Sequence, residues 1–422
     1  MTLAAATTRE PRSEARWRRD FGLLWAGSSI SQLGSVAAAV SYPLLCLAQF
    51  ESPMRAGWVA FAATFPKLFM QLPAGVLVDR CDRRTVMLVC QAVRCSALAV
   101  LAAFLLTGDV RFWVLVVVAG VDGLFGVLHN VAEYAAVPQI VPDRHLDEAV
   151  SRMEVRVHAA NMLGRPLGGL LFGIDRMLPF AGDALSSLVS LTAVGLMKTN
   201  RLVPEGGTPA EPEERGMLAD FSEGIGWFLR EPFLRLAVLV SSIFNILGQV
   251  VLLMMISIAV DGRSSSLSIG IMVTSSGVGG VVGSYAAPRL LKSMSPIGIY
   301  LAAAWSWVGV GIAMALFQRP PVFLLGWGVI GLTGALTSVV AGIYLNRVTP
   351  SRLLGRVTSV GLFLVFGGVP FGGLLGGYLI STFGAARSAT MVVAAMAVVA
   401  ILVTAGWWGS ALRTEKAPAN SC

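Results

Sequence analysis

Gly75-Val-Leu-Val-Asp-Arg-Cys-Asp-Arg-Arg84 is the stretch on which the reading of this chain turns. It lies between apolar runs at about 56–78 and 85–107, each long enough for a bilayer crossing of ~20 residues. Asp79, Arg80, Asp82, Arg83 and Arg84 put five charges into six residues. Charge that dense does not stay in hydrocarbon, so the stretch is a tight, water-facing turn between two spanning helices.

The composition points the same way. Only 13% of the 422 residues are charged and 55% are hydrophobic, where a soluble domain carries about 25% charged residues. The 46 glycines suit closely packed membrane helices. The net charge of +8 then records topology, not a nucleic-acid partner. Five cysteines show no metal-ligand spacing and read as small buried hydrophobes, so neither a metal nor a cofactor is expected. The Arg-rich start is not a cleavable signal peptide.

Outward from the turn, the chain divides into a cytoplasmic arm at 1–20, a bundle at 21–198, a polar linker at 199–231, a second bundle at 232–409 and a tail at 410–422. The first bundle holds apolar runs at about 21–48, 56–78, 85–107, 112–134, 147–173 and 178–198. The second holds runs at about 232–260, 266–290, 296–317, 321–345, 354–381 and 387–409. Within the linker, Met217 to Leu229 has Phe221, Ile225 and Phe228 at helical spacing and reads as an interfacial helix. Alternate loops, with both tails, collect roughly twenty Lys and Arg, against about six on the other side. That asymmetry places both termini in the cytoplasm.

The second half repeats the first. Pro166-Leu-Gly-Gly-Leu-Leu-Phe-Gly173 recurs as Pro370-Phe-Gly-Gly-Leu-Leu-Gly-Gly377, with six identities in eight. Gly164, Pro166, Gly168, Gly169, Pro370, Gly372 and Gly373 are thus candidate packing or hinge positions. A six-plus-six duplication predicts two parallel repeats around a path, which is a transporter design.

Gly75, Leu77, Asp79, Arg80, Arg83 and Arg84 resemble the signature between spans two and three of the major facilitator superfamily. The Asp-Arg-Arg ending, with Asp82 where many members have glycine, is similar to the bacterial branch of enterobactin-type siderophore exporters and macrolide efflux proteins. Phe21-Gly-Leu-Leu-Trp25, Ser31-Gln-Leu-Gly34, Pro66 and Gly355-Arg356-Val357 fit the same branch, and the resemblance covers about 20–410. It implies an all-α membrane protein of twelve transmembrane helices in two six-helix bundles, exposing one site alternately to either side. It further implies a monomer in the bacterial cytoplasmic membrane, moving a small molecule, with protons as the coupling ion. The turn then serves as a conformational latch. Asp79 is expected near the N-terminus of span eleven, where the helix dipole favours a carboxylate, and Arg83 is expected to reach Glu133.

Several charges fall inside spans. Lys67 and Asp122 lie near mid-depth and are candidates for binding substrate or the coupling proton, a buried structural pair being the alternative. Arg94, Arg165 and Asp183 are further buried charges for which a structural role is favoured, because the resemblance puts spans three and six on the outside. Glu154 and His158, four apart on span five, are expected to pair on one face, in a structural role or as a proton relay. The second half offers only amides such as Asn245 and Gln249, so it is expected to supply apolar and aromatic surface. Drug antiporters of the superfamily usually carry an Arg before the Gly in span four; here Asp122-Gly123 stands instead.

The leading function is a secondary active exporter of a drug, siderophore or secondary metabolite, and the nearest alternative is an importer on the same fold. A membrane prenyltransferase, with Asp79 and Asp82 on a magnesium-diphosphate, is opposed by the single Asp pair and by the duplication. No phosphate-binding loop of the Gly-x-x-x-x-Gly-Lys-Ser/Thr type occurs, so an ATP-driven permease would need a separate nucleotide-binding partner.

Overall fold

The computed structural model describes residues 10–199, 225–228 and 230–415. Among the described residues the long helical stretches follow in this order: α1 (Glu10–Phe50), α2 (Pro53–Arg80), α3 (Arg83–Thr107), α4 (Phe112–Ile140), α5 (Leu146–Ile174), α6 (Leu178–Gly195), α7 (Pro232–Asp261), α8 (Ser266–Leu290), α9 (Pro296–Leu316), α10 (Pro320–Val348), α11 (Ser351–Phe366) and α12 (Val369–Glu415), the last kinked at Gly384. Nine helical stretches among the described residues are long and apolar enough to cross a membrane. Helices α2 and α5 fall outside that set. Their interiors carry Lys67 and Glu154, Arg156 and Arg165.

One boundary differs from the sequence reading. The expected span eleven at 354–381 breaks between Phe366 and Val369 and then runs on into the expected span twelve. Pro370 explains the break, since it donates no N–H and its ring crowds the carbonyl one turn back. The stretch Val360–Ala405 is 46 residues long, about 69 Å as a straight helix and over twice a ~30 Å hydrocarbon core. It turns at Gly384, whose φ of 77° glycine adopts without strain. Of the expected interfacial helix, 225–228 is helical and Phe228 is buried against Gly361; the rest lies outside the described residues.

By packing, α1–α6 with residues 265–271 form one compact unit, and α7 with 272–415 forms another. In the first, α1 packs on α5 and α6, α3 on α4 and α6, and α2 on α4. In the second, α7 packs on α11 and α12, and α9 on α10 and α12. The partners are the same elements six positions on. The repeated glycines carry this pattern. A Cβ on Gly168 would fall on the Ala37 backbone, 2.8 Å from its Cα, and one on Gly164 would lie 2.8 Å from Val36 Cβ. A Cβ on Gly372 would sit 3.1 Å from the Ile246 Cα and 2.9 Å from Gln249 Cβ. In both repeats, small residues let two backbones meet without a side chain between them. Gly169 meets the Ser266 carbonyl in the same unit, and Gly373 is buried, as is Pro370.

The second unit is built on aromatic contacts. Phe244 stacks on Trp307 at 4.5 Å and 7°, and the Trp307 indole donates to Thr333 Oγ1 at 2.9 Å. Tyr300 donates to the Thr337 carbonyl at 3.1 Å and packs edge-on against Phe233. Asn245 donates to the carbonyl one turn back, at Ser241.

Candidate functional site

The turn at Gly75–Arg84 is as tight as its charges require. Helix α2 ends at Arg80 and α3 begins at Arg83. Asp82 caps α3, its carboxylate accepting from the Thr85 backbone N–H at 3.3 Å and from the Thr85 hydroxyl at 2.7 Å. That is what an N-cap aspartate does, and it accounts for an aspartate where a glycine would leave the first turn uncapped. Arg84 donates to the Gly195 carbonyl at 2.7 Å and to the Thr199 carbonyl at 3.3 Å, at the C-terminal end of α6, where a cation is favoured. Arg80 is exposed. The side chain of Asp79 lies outside the described residues.

The expected Arg83–Glu133 pair is replaced by two other contacts. Arg83 donates to the Ala135 carbonyl at 2.7 Å. Glu133 is held instead by Arg156 of α5 through both guanidinium nitrogens, Nη2 to Oε2 at 3.0 Å, and the two side chains are almost completely buried. The physical reason is the guanidinium fork. A planar two-pronged donor facing Glu133 from α5 satisfies both carboxylate oxygens, while a neighbouring turn offers Arg83 a carbonyl.

Asp20 completes this end of the unit. Fully buried, it accepts from the backbone N–H groups of Lys198 and Thr199, both at 3.0 Å, and from the Thr199 hydroxyl at 2.7 Å. Arg16 donates to the Lys198 carbonyl at 2.8 Å. The start of α1 thereby holds the chain just after α6. Asp20→Ala is expected to release it, seen as faster tryptic cleavage after Lys198 with the fold otherwise intact. Unchanged cleavage would assign the clamp elsewhere.

At membrane depth, four helices bring polar side chains to one place. Arg94 on α3 donates through Nε to Asp122 Oδ1 on α4 at 2.7 Å, and its Nη2 lies 3.7 Å from Asp183 Oδ1 on α6. Its remaining donors reach Ser35 at 2.5 Å and Ser31 at 3.3 Å on α1, and Gln91 Oε1 at 3.3 Å. The Gln91 amide donates to Ser31 at 3.1 Å and Ser190 at 2.9 Å, and lies 3.3 Å from His129 Nε2. Asp183 Oδ1 also accepts from Ser35 at 3.3 Å and Ser186 at 3.1 Å. Its Oδ2 is buried, with no hydrogen-bond partner among the described residues. One cation thus serves two carboxylates in a shell of hydroxyls.

Of the residues singled out by sequence, this cluster unites Asp122, Arg94 and Asp183. Among the described residues Lys67 makes no hydrogen bond or ion pair, and it is exposed, although Asp122, Arg94 and Asp183 all lie within its electrostatic range. The expected Glu154–His158 pair does not form: Glu154 accepts from the Tyr134 hydroxyl at 3.0 Å, and His158 is exposed. A helix-spaced tyrosine on α4 reaches Glu154 more readily than an imidazole on the same helix does. Arg165 is half-buried on α5. Sequence reasoning passed over Ser31, Ser35, Gln91, His129, Arg156, Ser190 and Asp20. Their signal was helical spacing, since Asp122, His129 and Glu133 share one stripe of α4 and Gln91 and Arg94 share one of α3.

Residues 15–419 match the family described as transmembrane secretion effectors. The chain belongs to that family, a branch of the major facilitator superfamily. Two relatives cover most of this secretion effector. The multidrug efflux pump Tap of Mycolicibacterium fortuitum is 25% identical over 374 residues, 86% of this chain and 88% of that one. The enterobactin exporter EntS of Citrobacter koseri is 25% identical over 339 residues, 79% of this chain and 78% of that one. Among solved structures, the nucleoside transporter NupG superposes with a TM-score of 0.73 at 12% identity, covering 92% of this chain and 98% of its own. The fold is that of the major facilitator transporters. The chain is a multi-pass membrane transporter of small molecules and not an enzyme.

Proposed function

We propose that this transporter is a secondary active exporter of a small organic molecule, working by alternating access and exchanging its cargo for protons across the bacterial cytoplasmic membrane, with both termini inside. The observation that carries export is the pair of relatives above, an efflux pump and an exporter, aligned over at least 79% of this chain. The Arg94–Asp122–Asp183 cluster supports proton coupling, because two carboxylates sharing one cation at membrane depth form a group that can hold or release a proton. In this reading Asp122 and Lys67 line the transport path, and the turn from Gly75 through Asp79 to Arg84 is the latch that changes partners between states.

The test is accumulation of a drug and siderophore panel in cells with and without the protein. Export predicts lower steady-state accumulation of at least one compound, and loss of the difference when the proton gradient is collapsed. Equal accumulation across the panel contradicts export, and higher accumulation indicates import.

A further inference from the structure

The contacts above leave the placement of Lys67 on α2 unexplained. It lies 14 residues from Pro53 and 13 from Arg80, about 20 Å along α2 from either end. An ammonium left in hydrocarbon at that depth costs at least ~2.5–3.5 kcal/mol, so a lysine that protein atoms leave uncovered there needs water or an anionic partner. Its stem lies over α4 where that helix has no side chain: a Cβ on Gly123 would be 3.3 Å from Lys67 Cε. The same Cβ would collide with the Ala63 backbone, so Gly123 sets both the approach of α2 to α4 and the course of the lysine.

The carboxylates nearby are already engaged. Asp122 is bonded to Arg94, and Asp183 lies against Arg94 and accepts from Ser35 and Ser186. A lysine serving only as their counter-ion would close on one of them, and Lys67 closes on neither. Among the described residues, no acceptor takes up any of its three ammonium donors. We propose that Lys67 is the anchor for an anionic group on the transported molecule, so that the cargo is a small organic acid bearing a carboxylate or a similar anionic oxygen group. This rests on the reading of the protein as a transporter, and it does not depend on the direction of travel.

The test is fluorescence binding to the purified full chain in lipid nanodiscs, with three probes that share one fluorophore: dansyl-glycine, dansyl-glycinamide and dansylcadaverine. Dansyl-glycine is expected to bind saturably, and the neutral and cationic probes at least about tenfold more weakly, the scale of one charge-assisted hydrogen bond. Lys67→Gln is expected to erase the preference and Lys67→Arg to keep it. Because Lys67 makes no hydrogen bond or ion pair among the described residues, both variants are expected to unfold at the wild-type temperature, which a thermal melt checks. Equal binding of the three probes, an acid preference that survives Lys67→Gln, or no saturable dansyl-glycine binding would each overturn the proposal. Cells that take up dansyl-glycine in a Lys67-dependent way, instead of expelling it, would overturn export and leave the anionic site standing.

Discussion

Replacing Arg94 by alanine is expected to destabilise the folded protein by about 3–5 kcal/mol, the cost of leaving a buried charge without its partner. Arg94 and Asp183 are almost wholly buried, and Asp122 is only 13% exposed. Without the guanidinium, two carboxylates face each other in the interior of a bundle at membrane depth. They can escape the penalty only by taking up protons, and even then Ser31, Ser35 and Gln91 lose the donor they surround. Arg94→Lys should recover part of the loss, because it restores the charge without the fork that reaches Asp122 and Ser35 together. Thermal unfolding in detergent reads the effect. An unshifted melt for Arg94→Ala would mean that the cluster carries no stability and that its charges are already neutralised elsewhere.

Arg156→Ala carries an expected loss of the same size, about 3–5 kcal/mol, at the buried pair with Glu133. The informative comparison is the double change. Joint replacement by leucine removes both charges and fills the space, so Glu133→Leu/Arg156→Leu should recover most of what either single change loses. A double-mutant cycle on unfolding temperature separates the two outcomes. Additive losses would show that Glu133 and Arg156 do not act as a pair, and that the tie between α4 and α5 lies elsewhere.

Depth was legible in the sequence, and azimuth was not. The spacing of Gly75–Arg84 between two apolar runs required a turn of a few residues, and α2 and α3 are joined by Cys81 and Asp82 alone. The Pro-Gly-Gly repeat marked hinge or packing positions in each half, and Gly168 and Gly372 lie where a Cβ would meet the backbone of a neighbouring helix. Counting residues along a helix also put Asp122 and Arg94 near mid-depth. Counting does not say which helix each one faces. Asp122 was matched with Lys67 by depth, yet Arg94 approaches from α3 with a longer, forked reach and takes the carboxylate. Glu133 was matched with Arg83 from the resemblance, as part of the latch, and the carboxylate is held by Arg156 of α5 instead. Asp20 was hidden because the residues around it are polar and Arg-rich, the composition of a solvated arm. Only the packing of α1 against α6 shows that it is buried.

The two halves divide the work unevenly. The first unit holds the buried ions and the accessible lysine, while the second offers stacked rings and hydroxyls bonded to their own helices.

The central claim, proton-driven export, is tested most directly in proteoliposomes of known orientation carrying a compound found to be transported. With an imposed proton gradient, the account predicts that cargo leaves the side corresponding to the cytoplasm as protons enter it, and that Asp122→Asn uncouples the two movements while the protein remains folded. Cargo moving in the same direction as protons, or moving at the same rate with and without the gradient, would contradict it.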